Sequence, residues 1–347
     1  MTNDLLKRLG IDHPVIQGPF GGGPSTPELV AAVSNAGALG SLGAAYMMPD
    51  QITTTIRQIR ALTDRPFQVN LFSGGWQTDS QFDASQMYDL LSEVHATLGL
   101  APPELPQVKP DPFPAQLEAV LDARPPIFSF TFGIPDRASL ERLRSRQIVI
   151  LGTATTAREA KLLLEAGVDA IVAQGAEAGA HRGTFAGSFE DSMVPTLDLT
   201  RQINGAVHLP VIAAGGMMDG RDIARALNSG ASAAALGTAF LVTNESGAPP
   251  VHKQAIFSAN GNPTVVTRAF SGRPARGIKN EFVARIEGRE DAILPYPLQN
   301  AFTRMMRGAA AQKGLAGFLS LWAGTGLQRA RALPAGELVQ RLVEELN

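Results

Sequence analysis

The chain has 347 residues, a formal net charge of −2, 44% hydrophobic and 18% charged residues, and no cysteine. This composition is typical of a soluble globular protein and gives no electrostatic reason to expect nucleic acid or a membrane as a partner. Without cysteine, disulfides and thiolate nucleophiles are excluded, and the five scattered histidines predict no metal site.

Eight short apolar runs predict strands, and most of them precede a helical pattern. The runs cover residues 14–20, 39–44, 67–72, 127–132, 148–153, 170–173, 211–214 and 233–241. Helical patterns between them cover 27–35, 49–62, 157–166 and 219–229, and several begin at a capping residue or proline and end at glycine. Strands that alternate with helices predict a parallel sheet, and eight such units predict an α/β protein with a closed (β/α)8 TIM barrel.

Two stretches do not fit this alternation. Residues 73–126 are too long for an ordinary connection, and residues 243–347 follow the last barrel strand. We therefore expect a barrel from 1–72 and 127–242, with a smaller, mostly helical lid or substrate domain from 73–126 and 243–347. The alternative is a decoration without a role in the site.

Glycine-rich turns follow the seventh and eighth predicted strands, where barrels of this kind often bind phosphate. One turn contains Gly215 and Gly216, and the other contains Leu236, Gly237 and Thr238. Their backbone N–H groups, with the start of the helix near residue 219, predict a phosphate site. Two tight turns that require glycine are the alternative.

Other strand ends favour a flat aromatic ligand. The first strand ends in a glycine-rich loop with Phe20, Gly21, Gly22 and Gly23, which would let backbone approach a ring system closely. The carboxamides of Gln68, Asn70 and Gln174 could bind the polar edge of a flavin. They could equally bind neighbouring strand-end backbone.

The segment 173–185 carries one histidine and one arginine after the sixth predicted strand. Glycines at 175, 179 and 183 flank His181 and Arg182. A loop at the carboxyl end of a parallel strand is where α/β proteins place their chemistry, so this loop is the candidate active-site loop. An ordinary connection with a surface His–Arg pair is the alternative.

Taken together, these motifs resemble the nitronate monooxygenase family, formerly called 2-nitropropane dioxygenases. The resemblance rests on the loops above and on the tail segments 296–300 and 321–324, and the E-A-G-x-H-R-G pattern at 177–183 is its most specific part. The family implies FMN as cofactor, with His181 as the active-site histidine and Tyr296 in the substrate pocket. It also implies that FMN is held by Asn70, Gln174, Gly179, Gly215, Gly216, Gly237 and Thr238.

The implied reaction is the oxidative denitrification of alkyl nitronates, such as propionate 3-nitronate, by O2 to a carbonyl compound and nitrite. A protonated His181, with Arg182, would hold the anion, or a neutral His181 would remove the α-proton of a nitroalkane. Two rivals stay open: an FMN-dependent NAD(P)H oxidoreductase acting on a quinone or enoyl thioester, and a non-catalytic flavin- or phosphate-binding protein.

Three positions depart from the family pattern, and two properties, the location and the oligomeric state, rest on weak signals. Phe20 stands where relatives often carry methionine or leucine, Ala180 replaces a frequent glycine, and Thr325 replaces a frequent glutamine. The amino terminus has no signal pattern and no apolar run could span a bilayer, so a cytoplasmic location is expected. A homodimer is conceivable from an apolar tail helix, without a specific signal for one.

Overall fold

A computed structural model describes residues 4–76, 82–261 and 264–346. The strands are β1 (Val15–Gln17), β2 (Gly40–Gly43), β3 (Phe67–Phe72), β4 (Ile127–Thr131), β5 (Val149–Ala154), β6 (Ala170–Gln174), β7 (Ala180–His181), β8 (Val211–Ala214), β9 (Ala233–Leu236), β10 (Thr264–Thr267) and β11 (Ala275–Ile278). The helices are α1 (Asp4–Leu9), α2 (Pro27–Asn35), α3 (Pro49–Leu62), α4 (Ser85–Thr97), α5 (Phe113–Ala123), α6 (Arg137–Ser145), α7 (Ala157–Ala166), α8 (Thr196–Ala206), α9 (Gly220–Asn228), α10 (Thr238–Leu241), α11 (Pro250–Phe257), α12 (Glu281–Ile286), α13 (Leu298–Phe302), α14 (Arg304–Lys313) and α15 (Ala335–Leu346). None of these helices is long and apolar enough to cross a membrane.

Eight parallel strands form the predicted barrel. Their order is β1-β9-β8-β6-β5-β4-β3-β2, and a parallel bridge between Ile16 and Leu39 joins the two ends. Each of the eight predicted strands is present, with the last one ending at Leu236 instead of 241 because α10 begins at Thr238. The (β/α)8 fold is confirmed.

Local signals at helix ends act as expected. The Thr26 side chain accepts the N–H of Leu29 at the start of α2, with Pro27 in the first turn. Gly167 ends α7 in a left-handed conformation with φ 75°. These ends fix α2 and α7 against the barrel, and α1 contributes Leu5 and Leu9 to the core inside the strands.

Two helices predicted for the lid belong to the barrel instead. Helix α5 buries Phe113, Leu117 and Val120 in the same core as β3 and α3, so it is the helix that follows the third strand. Helix α15 buries Leu338 and Leu342 against α2 and α9 and completes the ring of helices. The predicted boundaries at 126 and 347 are therefore corrected.

The remaining insertion and tail form one lid, defined here as residues 82–112 and 264–321. It has its own apolar core, with contributions from Met87, Leu91, Phe282 and Phe302. The lid is not only helical, since β10 pairs with β11, and β11 pairs antiparallel with the short β7 of the barrel. Ala275 faces His181 in that register, so the lid sheet directly holds the candidate active-site loop.

Candidate active site

A cavity of about 590 Å³ lies between the carboxyl ends of the barrel strands and the lid. The residues expected for the site that line it are Phe20, Gly21, Gly22, Asn70, Gln174, Gly179, His181, Gly215, Gly216, Gly237 and Thr238. They come from β3, from the end of β6, from β7 and from the loops after β1, β6, β8 and β9, which are far apart in the chain. A large cavity with a few convergent polar groups is the usual form of a ligand site.

His181 stands in a cage of aromatic rings at one end of the cavity. The ring centroids of Trp322, Phe132, Tyr296 and Phe72 lie 5.6, 5.8, 6.2 and 6.3 Å from the imidazole centroid. The imidazole lines the cavity, and His181 is half-buried. This burial lowers the pKa of His181 from 6.5 to about 3, with further lowering by the charges of Arg273 and Arg307. The free site therefore holds a neutral imidazole at neutral pH.

A serine of the lid orients this imidazole. The Nε2 atom of His181 lies 2.9 Å from Oγ of Ser271, and that hydroxyl donates its proton to the backbone carbonyl of Arg273 at 3.1 Å. When the hydroxyl donates to that carbonyl it accepts from His181, and we adopt this pattern, which places the hydrogen on Nε2. The lone pair then stays on Nδ1, which has no hydrogen-bond partner among the described residues.

The opposite wall presents unpaired backbone donors. In the part of the chain that the structure describes, no acceptor meets the N–H groups of Gly215, Gly216, Gly237 and Thr238. Gly215 and Gly216 have φ values of 128° and 72°, which only glycine adopts readily and which turn both amides away from the strand. All four residues line the cavity, so their free N–H groups give this wall the form of an anion site.

The expected help from the start of α9 is absent. The Gly220 N–H donates to Glu345 and the Asp222 N–H donates to Asp219, so side chains already occupy the first turn of this helix. The Asp222 carboxylate also accepts from Met218. The phosphate prediction therefore rests on the two glycine turns alone.

The side-chain amides of Gln68, Asn70 and Gln174 differ in which polar atoms remain free to bind a ligand. The Oε1 atom of Gln68 is buried without a partner, and Gln68 lines the cavity. Asn70 donates to Ser129 and also lines the cavity. Gln174 instead braces the active-site loop, since its amide donates to the His181 carbonyl at 2.9 Å and accepts the Gly183 N–H at 2.7 Å. Strand-end backbone bonding, the alternative for these residues, therefore applies to Gln174.

Gly179 is required for a close approach of the tail. A Cβ atom at this position would lie 2.6 Å from the carbonyl carbon of Ala323 and the nitrogen of Gly324. Gly324 in turn donates to the Thr238 hydroxyl, and Thr325 donates its N–H to the Glu177 carbonyl. The tail thus joins the active-site loop to the turn after β9, and the contact at 325 uses backbone, not the side chain that departs from the family pattern.

Arg182 does not take the role expected for it. Its side chain is 1% exposed, does not line the cavity, and donates to the backbone carbonyls of Gln174, Gly175 and Ser192. The arginine is a brace behind the loop, because a buried guanidinium is directed by the carbonyls that satisfy it. The interpretation of Arg182 as a substrate-binding residue is corrected.

Three further residues, Leu236, Gly23 and Tyr296, lie differently from the prediction. The Leu236 side chain is in the barrel core and only its carbonyl, which accepts the Gly18 N–H, faces the loops. Gly23 does not line the cavity, while Phe20 does, next to Gly237. Tyr296 packs against His181 but lines a second cavity of about 430 Å³, which His181 does not line.

Sequence reasoning missed several residues of the His181 cage. Ser271 and Arg273 lie 90 or more positions from His181 in the chain, and no local pattern links them to it. Arg273 stacks 3.7 Å above the ring of Phe132, which adopts φ 80°. A bulky residue in that region is a strained conformation that is found mainly at functional sites.

Comparisons with known proteins identify the family of this chain. A sequence model of the nitronate monooxygenase family matches residues 3–345. A probable nitronate monooxygenase of Staphylococcus haemolyticus is 39% identical and covers 100% of this chain and 97% of its own length. Its counterpart in Staphylococcus aureus is 38% identical, over 99% of this chain and 97% of its own.

Solved structures share the whole fold. The nitroalkane oxidase of Streptomyces ansochromogenes superposes with a TM-score of 0.89 at 42% identity, over 99% of this chain and 97% of that one. FabK of Thermotoga maritima superposes with a TM-score of 0.78 at 27% identity, over 100% of this chain and 96% of that one. From the match along its whole length, this chain belongs to the nitronate monooxygenase family and is an oxidoreductase.

Proposed function

We propose that this protein is an FMN-dependent oxidase of nitro compounds, which converts alkyl nitronates and O2 to a carbonyl compound and nitrite. One observation carries the proposal: a neutral imidazole with a defined tautomer opens onto a cavity whose other wall is a row of unpaired backbone donors. The relatives named for nitronates and nitroalkanes support it.

The residues present fit FMN. Its phosphate would accept from the N–H groups of Gly215, Gly216, Gly237 and Thr238, and a Cβ at Gly237 would find only the Phe20 ring, at 3.9 Å, on the cavity side. Gln68, with its unpartnered Oε1, and Asn70 would bind the polar edge of the ring system. When bound, FMN would supply the electron transfer between the nitro compound and O2.

His181 would act as a base whose protonation depends on the substrate. A proton taken from the α-carbon of a nitroalkane by Nδ1 would create a cation in a cage that already contains the field of Arg273 and Arg307. The nitronate formed in the same step offsets that charge, because the two ions lie side by side. The proton therefore stays on the imidazole only while the anion is bound.

For a nitronate added from solution, the residues that hold the anion would differ from those predicted from the protein sequence. With His181 neutral and Arg182 engaged behind the loop, the positive charge near the imidazole comes from Arg273 and Arg307. Both remain protonated at neutral pH, although burial lowers the pKa of each to about 10. Arg307 lines the cavity, whereas Arg273 lines only the second cavity, so Arg273 would act on the anion through its field and not by contact.

Oxygen uptake by flavin-loaded protein tests the proposal. Propionate 3-nitronate should consume O2 and release nitrite, whereas NADH and NADPH should not drive uptake. His181→Asn should keep its flavin and lose most of its turnover with a neutral nitroalkane, while His208→Asn, at an exposed histidine outside the cavity, should behave as the wild type. Oxidation of nicotinamides with an inert nitronate would move the protein to the reductase alternative.

A further inference from the structure

We propose that the second cavity is a binding site for a doubly charged oxyanion of the phosphate type. This inference goes beyond the proposed function, because His181 does not line this cavity and the proposed reaction takes place in the other one. The walls of the second cavity come from the lid, from Gly75 and from residues 182–190 at and after the active-site loop. Its charged lining residues are Arg182, Glu190, Arg268 and Arg273.

Arg182 supplies a buried donor that has no acceptor. The residue is 1% exposed, and its two terminal nitrogens make three hydrogen bonds to backbone carbonyls. The remaining nitrogen, Nε, is buried and has no hydrogen-bond partner among the described residues. Leaving a donor of a charged group unpaired away from water is costly. An anion in the cavity that Arg182 lines would provide the missing acceptor.

Arg273 is held in place with one nitrogen free. Its Nε donates weakly to the Arg182 carbonyl at 3.5 Å, its Nη2 donates to the Thr184 carbonyl, and its guanidinium lies 3.7 Å above the Phe132 ring. Within the described part of the chain Nη1 has no acceptor. Gly75 makes room for this nitrogen, since a Cβ atom there would overlap it. The guanidinium is therefore positioned before any ligand binds, which lowers the entropic cost of binding.

Arg268 adds an exposed guanidinium to the same lining. Its Nε donates to the Gly272 carbonyl at 3.1 Å, and neither terminal nitrogen has an acceptor among the residues that the structure describes. A guanidinium with free terminal N–H groups can bind two oxygens of one phosphate group at once. Arg268 is therefore suited to hold the outer side of the anion, while Arg182 and Arg273 provide the buried charges.

The lining has an excess of positive charge. None of the three arginines forms an ion pair with another described residue, whereas Arg331 does, with Glu345. The lining also contains the exposed Glu190, so three positive charges and one negative charge leave a net charge of +2. A phosphate group carries close to two negative charges at neutral pH, so it matches this excess better than a singly charged anion does.

Two nearby carboxylates do not replace the anion. The charges of Glu159 and Glu177 act on Arg182, but neither residue lines the cavity. Glu159 accepts backbone N–H groups, including that of Phe185, and Glu177 accepts the N–H and hydroxyl of Thr196. Because these oxygens are already used, the anion must come from solution. Free phosphate and a small phosphate monoester share the required chemistry, and a cavity of about 430 Å³ can admit either.

The test is calorimetric titration of the flavin-loaded protein with inorganic phosphate at about pH 8, where the group is a dianion. We expect saturable binding, which Arg268→Met should weaken by about tenfold, since it removes charged hydrogen bonds. Arg268→Lys keeps the charge without the fork and should restore part of the affinity. Arg221→Met removes an equal charge at an exposed site outside both cavities and should change nothing.

The outcomes decide both the site and the source of its ligand. If glycerol 3-phosphate also depends on Arg268, tighter binding than free phosphate assigns the site to a phosphate monoester, and weaker binding assigns it to phosphate itself. No saturable phosphate binding, or equal affinity in the wild type and Arg268→Met, overturns the inference. Chloride that binds as well as phosphate and with the same dependence on Arg268 would also overturn the assignment to a dianion.

Oxygen uptake separates this inference from the proposed function. Phosphate should not raise the KM for propionate 3-nitronate, because the two ligands occupy different cavities. Competition with the nitronate that persists in Arg268→Met would place the phosphate in the main cavity and contradict the inference. If the nitronate consumes no O2, the proposed function fails, and the calorimetric comparison of wild type with Arg268→Met still decides the anion site.

Discussion

Replacing Ser271 by alanine tests the account of His181 most directly. The hydroxyl is 1% exposed and accepts from His181 at 2.9 Å and, more weakly, from the Arg273 N–H at 3.3 Å. Each buried donor left without an acceptor costs about 1–3 kcal/mol, and the longer bond contributes little, so we expect the free energy of unfolding to fall by about 2 kcal/mol. The imidazole would also lose the bond that keeps its lone pair on Nδ1.

Catalysis should respond according to the substrate. Removal of the α-proton requires a correctly placed Nδ1, so kcat/KM for a neutral nitroalkane should fall by roughly ten- to a hundredfold, less than the loss on removing the base itself. A preformed nitronate needs no base and should lose less. The assay is O2 uptake with each substrate at equal flavin content, together with denaturant unfolding.

Two variants control this experiment. Ser320→Ala alters another serine of the same cavity that makes no side-chain hydrogen bond among the described residues, and it should change neither rate. Ser271→Thr keeps the hydroxyl and should retain most of the nitroalkane rate if it folds. A Ser271→Ala protein whose nitroalkane rate stays within about threefold of the wild type would refute the orienting role.

Three further predictions concern acid stability, the cofactor wall and the active-site loop. Folding holds the pKa of His181 at about 3 and that of His252 at about 4, below the ordinary 6.5, so the unfolded chain binds more protons than the folded one. The free energy of unfolding should therefore fall as pH falls from 6.5 to 5, by about 1 kcal/mol per pH unit for each histidine. Unfolding of the flavin-free protein at several pH values should show a slope that His181→Asn halves, and an unchanged slope would contradict this prediction. Gly237→Ala should leave the free energy of unfolding nearly unchanged, because the new Cβ would approach only Phe20, at 3.9 Å. The same substitution should weaken FMN binding in a fluorescence titration, and wild-type affinity would argue against this wall as the phosphate site. Ala180 has φ 63°, so Ala180→Gly should raise the free energy of unfolding by about 0.5–1 kcal/mol in chemical denaturation, and a loss of stability would show that the alanine is not strained.

The barrel was predictable because its signals are local. Each strand is a short apolar run, and helices such as α2 and α3 carry their own start and stop residues, so their bounds agree with the pattern to the residue. The domain to which α5 and α15 belong was not predictable, because both are amphipathic helices and only tertiary packing decides which core they join. The strands β10 and β11 were missed for a similar reason, since they pair with each other and β11 also pairs with the two-residue strand β7 of the active-site loop.

In the candidate active site, the residues were easier to predict from the sequence than their roles. The glycine turns and His181 were found because βα loops of a barrel converge at one end. Arg182 was misassigned because adjacent residues of an extended segment point to opposite sides, so a functional His181 places its neighbour behind the loop. Ser271 and Arg307 came from the lid, whose position over the barrel is not encoded by any short motif.

The place of α15 in the barrel has a consequence for how the chain is made. The last strand, β9, ends at Leu236, yet the helix that covers the gap between α2 and α9 begins only at Ala335. A ribosome must therefore synthesise almost the whole tail before the barrel wall can be completed, and the partly made chain exposes the apolar side of α2 until then. Removing the last dozen residues should accordingly damage the barrel more than the lid, and a carboxyl-terminal fusion needs a linker that leaves this helix free to dock.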